Sequence, residues 1–221
     1  MLSNESEPTF FLLVCRSFAP SNRVHQDINY YIEPKILTEK LGNFLLNGKF
    51  CLLYGHRQSG KSTTAYAIKN WLEEISNKEI YIITFSSGIV IDEGLDKFWH
   101  SVCTKMASLD ARRFTFNINN TASSSTFEGF FSKYNYPSAK DCIIIIDEAS
   151  YLGNRYGSNN SEIVRSFISS LRVLKDGRGQ YNVYSLLLVG TNVIRDFLVQ
   201  HQRPDSDDPG SNISPFSDEA S

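Results

Sequence analysis

Apolar positions along the chain come in two kinds of pattern, and the two alternate. Short continuous apolar runs stand at Phe50-Cys51-Leu52-Leu53-Tyr54, Ile80-Tyr81-Ile82-Ile83-Thr84-Phe85, Cys142-Ile143-Ile144-Ile145-Ile146 and Tyr184-Ser185-Leu186-Leu187-Leu188-Val189. Runs of this length with few polar interruptions predict strands covered on both faces. Between and around them, apolar residues recur at helical spacing. One such stretch runs from Leu37 to Leu46, and a second carries Ala65, Ile68, Leu72 and Ile75 with Trp71 beside them. A third carries Leu95, Phe98, Trp99, Val102 and Met106, and a fourth Ile163, Val164, Phe167, Leu171 and Leu174, ending at Gly177. The capping box Ser125-Thr126-Phe127-Glu128 predicts one more short helix, whose stripe of Phe127, Phe130, Phe131 and Tyr134 reads as core. Strand alternating with helix calls for a three-layer α/β domain, its mainly parallel sheet covered by helices on both faces. No internal repeat interrupts the series.

The polar punctuation after the strands carries the chemistry. The first run leads directly into Gly55-His56-Arg57-Gln58-Ser59-Gly60-Lys61-Ser62, a complete G-x-x-x-x-G-K-S pattern, followed by Thr63 and the second helix. Between a buried strand and a helix N-terminus, such a loop presents backbone N–H groups as a concave nest for phosphate oxygens. Gly55 and Gly60 supply the bend. Lys61 is a compact cation that reaches the β- and γ-phosphates, and the Ser62 hydroxyl is a ligand for Mg²⁺. His56, Arg57, Gln58, Ser59 and Thr63 contribute mainly backbone. An accidental Gly-rich turn is the plain alternative, and it would need neither the strand nor the helix.

Two further strand tips are polar. Cys142–Ile146 runs into Asp147-Glu148, where Asp147 is placed to hold the Mg²⁺ shell and Glu148 to polarise an attacking water. A helix N-cap after an ordinary core strand is the other reading of that pair. The last strand ends in Gly190-Thr191-Asn192, and if it lies beside the Asp-Glu strand, Asn192, ahead of Thr191, becomes a sensor of the γ-phosphate. Gly-Thr-Asn is also plain turn chemistry. Together the tips point to ATP with Mg²⁺. GTP is disfavoured because no N-K-x-D motif follows the later strands: Asn77-Lys78-Glu79-Ile80 lacks the Asp.

This series resembles the AAA+ and signal-transducing (STAND) ATPases, phosphate-loop NTPases with an added strand and a catalytic Glu. The lead-in Asp27-Ile28-Asn29-Tyr30-Tyr31-Ile32-Glu33-Pro34, the helix to Leu46 and Asn47-Gly48-Lys49 are similar to the ATPase modules of Crinkler-type effectors and archaeal-type AAA ATPases. The resemblance implies ATP hydrolysis and adenine contacts upstream of the loop, which singles out Tyr30, Tyr31 and Pro34 against simple packing of an aromatic pair. It spans residues 25–200, with 1–24 expected as an N-terminal arm and 201–221 as a polar, flexible tail. The helical lid and second sensor of the family are not expected in the acidic, turn-rich stretch after Asn192. A non-catalytic nucleotide switch acting on a partner or an attached effector domain is therefore a rival, and a homo-oligomer a further possibility. A small-molecule kinase is disfavoured for want of an acceptor pocket or an Arg-rich lid.

Composition narrows the remainder. With 221 residues, 41% hydrophobic and 21% charged, the chain suits one globular domain. A net charge of −2, with Lys and Arg scattered apart from Arg112-Arg113, gives no general nucleic-acid surface. Cys15, Cys51, Cys103 and Cys142 form no C-x-x-C pair, which suits reduced thiols in the cytoplasm or nucleus, and the scattered histidines disfavour zinc. Phe10-Phe11-Leu12-Leu13-Val14-Cys15 is too short to span a membrane and lacks a basic flank for a signal peptide. The segment from Tyr151 to Asn160, rich in Gly, Asn and Ser, is expected to be a mobile loop over the nucleotide.

Overall fold

The four apolar runs form one parallel sheet. In this computed structural model, residues 34–153 and 158–193 are described, so the expected N-terminal arm, the C-terminal tail, Tyr30 and Tyr31 lie outside them. The elements follow in the order α1 (Lys35–Leu46), β1 (Phe50–Tyr54), α2 (Lys61–Ile75), β2 (Glu79–Thr84), α3 (Leu95–Leu109), α4 (Ser124–Gly129) and β3 (Cys142–Asp147). A 3₁₀ turn (Ala149–Gly153), α5 (Ser158–Asp176) and β4 (Val183–Gly190) complete the series. Across the sheet the order is β1-β4-β3-β2, every neighbouring pair parallel. The last strand in sequence thus lies between the strand that carries the loop and the strand that carries the carboxylates.

Strand pleating divides the core in two. Ile143 and Ile145 of β3 with Leu187 and Val189 of β4 face Ala65, Ile68 and Leu72 of α2 and Leu45 of α1. Their alternates, Ile144, Ile146, Leu186 and Leu188, face α3 and α5 through Phe98, Trp99, Val102, Phe167 and Leu171. This is why β3 reads as an unbroken apolar run: all six of its positions are buried. The second cluster is rich in edge-to-face aromatic pairs, such as Phe85 with Phe167 at 5.3 Å between ring centroids. Burial pushes the Cys103 and Cys142 thiols up to about 12 and Cys51 up to about 11, which keeps them protonated and inert.

Several local expectations need correction. The N-cap of α4 is Ser123, and the reciprocal bond comes from its own N–H to Thr126 Oγ1 at 3.2 Å. Glu128 is unavailable for a cap because its carboxylate accepts from Ser170 of α5 at 2.7 Å. Helix α4 stops at Gly129, so Phe130 and Phe131 reach the core from the turn beyond it, while Tyr134 is 93% exposed. Ile75, at the last position of α2, and Leu37, in the first turn of α1, are likewise exposed. Of the segment expected as a mobile loop, the part up to Gly153 is a 3₁₀ turn with Leu152 buried and α5 starts at Ser158, while residues 154–157 lie outside those described.

Candidate functional site

The loop between β1 and α2 is built around a left-handed residue. Gly60 has φ +80° and precedes the first residue of α2, and a Cβ placed there meets nothing within 4 Å. Its requirement is therefore conformational: any other residue would be strained whatever the space. Gln58, with φ 60°, adds a second left-handed turn. Among the described residues, the amides of Gly60, Lys61, Ser62 and Thr63 donate to no backbone acceptor, and the first regular bond is Thr64 N–H to Gly60 O at 2.8 Å. These are the orphan donors of a helix N-terminus, carried on a bend that gathers them into one concavity.

Side chains inside the loop hold its shape. Ser59 Oγ donates to His56 O at 2.8 Å, and Lys61 Nζ donates to His56 O and to Ser59 Oγ, the latter at 3.2 Å. Burial pulls the Lys61 ammonium below its ordinary pKa, with Asp147 and Glu148 opposing that pull. So the cation of the loop already feels the carboxylates of β3.

At the tip of β3 two adjacent carboxylates have unlike surroundings. Asp147 is only 4% exposed, whereas Glu148 is exposed and sits at φ 54°, left-handed for a residue with a Cβ. Such a conformation costs on the order of 1 kcal/mol and reverses the chain just after the strand. Burial raises the Asp147 pKa, against hydrogen bonds from the Ser62 hydroxyl and the Glu148 amide, the latter at 2.8 Å to Oδ1. Ser62 and Lys61 of the loop thus lie near the carboxylate tip across the intervening strand.

The tip of β4 lies between them, with Gly190 opposite Tyr54 of β1 and Leu188 opposite Ile146 of β3. Asn192 follows as an exposed residue, and among the described residues its side chain makes no hydrogen bond to the carboxylates. A residue that sequence reasoning passed over is better placed: Ser150 is 4% exposed, and its hydroxyl accepts from Thr191 N–H. No pattern in the sequence marks this pairing, because it depends on which strands are neighbours.

These donors fit a metal-bound polyphosphate. Orphan amides and an ammonium suit phosphate oxygens, and a serine hydroxyl near a buried carboxylate is a hard-oxygen pair of the kind Mg²⁺ accepts. Among the described residues, no group of three or more His, Cys, Asp or Glu is arranged to hold a metal. Also among the described residues, no helix is long and apolar enough to cross a membrane.

Comparison with known proteins bears on the family and the fold. No curated protein matches the chain in sequence. Among solved structures, a Walker-type ATPase of Pyrococcus abyssi is similar over 90% of this chain and 53% of its own, with a TM-score of 0.54 and 17% identity. Cdc6p from Pyrobaculum aerophilum is similar over 86% of this chain and 46% of its own, at a TM-score of 0.48 and 11% identity. Drosophila ORC bound to DNA is similar over 77% of this chain and 27% of its own, at a TM-score of 0.49 and 12% identity. The chain thus spans about half the length of the first of these, and at such identities the likeness concerns the fold. The pattern of the ATPase family associated with various cellular activities matches residues 51–200, from β1 through the last strand and beyond, and the chain belongs to this AAA family of ATPases.

Proposed function

We propose that this domain binds ATP with Mg²⁺ between the loop and the tip of β3, and hydrolyses it to ADP and phosphate. The observation that supports this reading best is that Lys61 and Ser62 of the loop both lie close enough to the buried Asp147 to act on its charge, which brings the phosphate-binding and metal-ligand candidates together. Family membership supports nucleotide binding, and the assignment of roles rests on the placement of the side chains.

The amides of Gly60 to Thr63, with the loop positions Gly55 to Ser59 shaping their approach, hold the phosphate oxygens. Lys61 leaves its carbonyl partner His56 O for the β- and γ-phosphates, where a cation offsets charge that grows in the transition state. Ser62 and Asp147 would hold Mg²⁺, which when bound neutralises phosphate charge. Glu148, exposed beside the buried Asp147, orients the attacking water and takes its proton as the water oxygen bonds to the γ-phosphorus and the bond to ADP breaks. Asn192 senses the γ-phosphate from the neighbouring strand tip.

The test sets Mg²⁺-ATP binding beside phosphate release for the wild type, Lys61→Ala and Glu148→Gln. Release abolished in both variants, with binding kept in Glu148→Gln, is the expected result. Binding without release in the wild type would replace the enzyme with a nucleotide-controlled switch acting on a partner or an attached domain. Wild-type binding that Lys61→Ala leaves unchanged would overturn the site itself.

A further inference from the structure

We infer that Ser150 is a positioning residue that sets Asn192 against the Asp147-Glu148 tip. The inference rests on the role proposed for Asn192. It starts from where the sheet ends. Pairing between β3 and β4 runs to Ile146 opposite Leu188, whereas β1 follows β4 two residues further, to Gly190. Past Leu188, the ladder therefore registers β4 against the loop strand and no longer against the carboxylate strand.

Ser150 supplies the missing link. It lies three residues after Asp147, in the 3₁₀ turn whose Ala149, Ser150 and Leu152 are buried. Its hydroxyl accepts from Thr191 N–H and faces Thr191 O at 3.5 Å, so one side chain meets both backbone polar groups of Thr191, the residue that leads into Asn192. A hydroxyl accepts and donates at once, which is what a two-sided clamp on one residue's backbone requires. At 4% exposure, water does not compete for these bonds. The same turn follows Glu148, whose left-handed backbone directs the chain into it. A shift of Asn192 relative to the carboxylates thus has to break a buried contact.

A misplacement of about an ångström is enough to slow a reaction up to a hundredfold while leaving ground-state contacts in place. Ser150→Ala is therefore expected to lower kcat by about tenfold or more and to reduce the preference for ATP over ADP, with Mg²⁺-ATP affinity held within about twofold. Ser150→Thr, which keeps the hydroxyl, should recover most of the rate. The decisive measurement is a double-mutant cycle on kcat and on the ATP-to-ADP affinity ratio, with Asn192→Ala as the second variant and thermal melting run alongside. Little further loss from Ser150→Ala in the Asn192→Ala background supports the clamp. Equal losses in both backgrounds, or a lower melting temperature with kcat and the affinity ratio unchanged, would overturn it and leave Ser150 a structural residue. If Asn192→Ala alone changes neither readout, the sensor role fails and the clamp fails with it, whereas a responsive Asn192 with an indifferent Ser150 removes the clamp alone.

Discussion

Asp110 and Asp147 are carboxylates packed near opposite ends of the same sheet, and their surroundings push them in opposite directions. Asp110, capping the end of α3 beside the start of β2, is pushed slightly up by desolvation. It is held below its ordinary pKa by hydrogen bonds from the Arg113 and Arg112 amides and the Tyr81 hydroxyl. Asp147, at the end of β3, is raised, because burial outweighs the bonds from Ser62 and the Glu148 amide. The first belongs to a cluster with its own counter-charge: Arg113 pairs with Glu79, donates to Lys140 O at 2.9 Å, and stacks 6.0 Å from the Tyr81 ring. The second lies near the Lys61 ammonium and the Ser62 hydroxyl of the loop. A half-buried charge that its own neighbours stabilise is what a structural cluster produces, whereas a buried one raised by desolvation is the pattern expected of a functional carboxylate.

The sharpest way to break this comparison is to empty the structural cluster. Arg113 is 7% exposed, and Arg113→Met keeps its apolar stem but leaves Glu79 without its cationic partner, with only the Tyr81 hydroxyl beside it. The expected loss is about 3 kcal/mol of unfolding free energy in chemical denaturation, with Mg²⁺-ATP affinity unchanged in the folded protein. A drop in affinity of more than about threefold, roughly 0.6 kcal/mol, would mean that the two ends are coupled and the division is false.

Asp147→Asn tests the other end with the opposite sign. The amide is the same size and still accepts from Ser62 and the Glu148 N–H, but it removes a charge that burial penalises. Stability should rise by about 1 kcal/mol near neutral pH, while Mg²⁺-ATP affinity falls by about a hundredfold, or ~2.7 kcal/mol. Calorimetry of the free protein and a nucleotide titration read the two effects separately. A destabilised variant would show that Asp147 belongs with Asp110 among the structural carboxylates.

A pH series on the wild type carries the same contrast. A raised folded pKa means the folded protein holds the Asp147 proton more tightly than the unfolded chain does. The Asp147 contribution to stability then falls as pH rises from the ordinary carboxylate value of about 3.9 through the raised folded one. Asp110 acts the other way: its contribution is present above about 3.9 and disappears as pH falls through its lowered folded value. The difference in unfolding free energy between wild type and Asp147→Asn should therefore shrink on acidification and grow towards neutrality. A difference that stays flat with pH would remove desolvation as the cause.

How much of this was legible before the fold was known follows the range of each signal. The loop, the strand of four isoleucines and the Asp-Glu tip are local patterns, and each stands where its residues predict. The sheet order was not local, because β4 enters between β1 and β3 only through pairing over long sequence separations. Ser150 stayed invisible for that reason. Arg113 misled in a different way: beside Arg112 it read as the one small basic cluster, yet it turns inward to Glu79, a partner on another element. The capping box was misread by two residues because Ser123, Ser125 and Thr126 offer overlapping oxygens, and the choice fell to Ser170, which engages Glu128.

The mildest probe touches one hydroxyl. Tyr81 Oη lies 3.1 Å from both Glu79 Oε2 and Asp110 Oδ2, bridging the two acids beside Arg113. Tyr81→Phe should cost about 1 kcal/mol near neutral pH, the net worth of one such bond, and leave ATP binding alone. Because the bond favours the charged form of Asp110, the cost should fade once acid protonates that carboxylate, so the two stability curves converge at low pH. Parallel curves would assign the hydroxyl to packing alone. In that case the lowered pKa of Asp110 would have to come from the Arg112 and Arg113 amides, and the cluster at the start of β2 would be a backbone cap with an ion pair beside it.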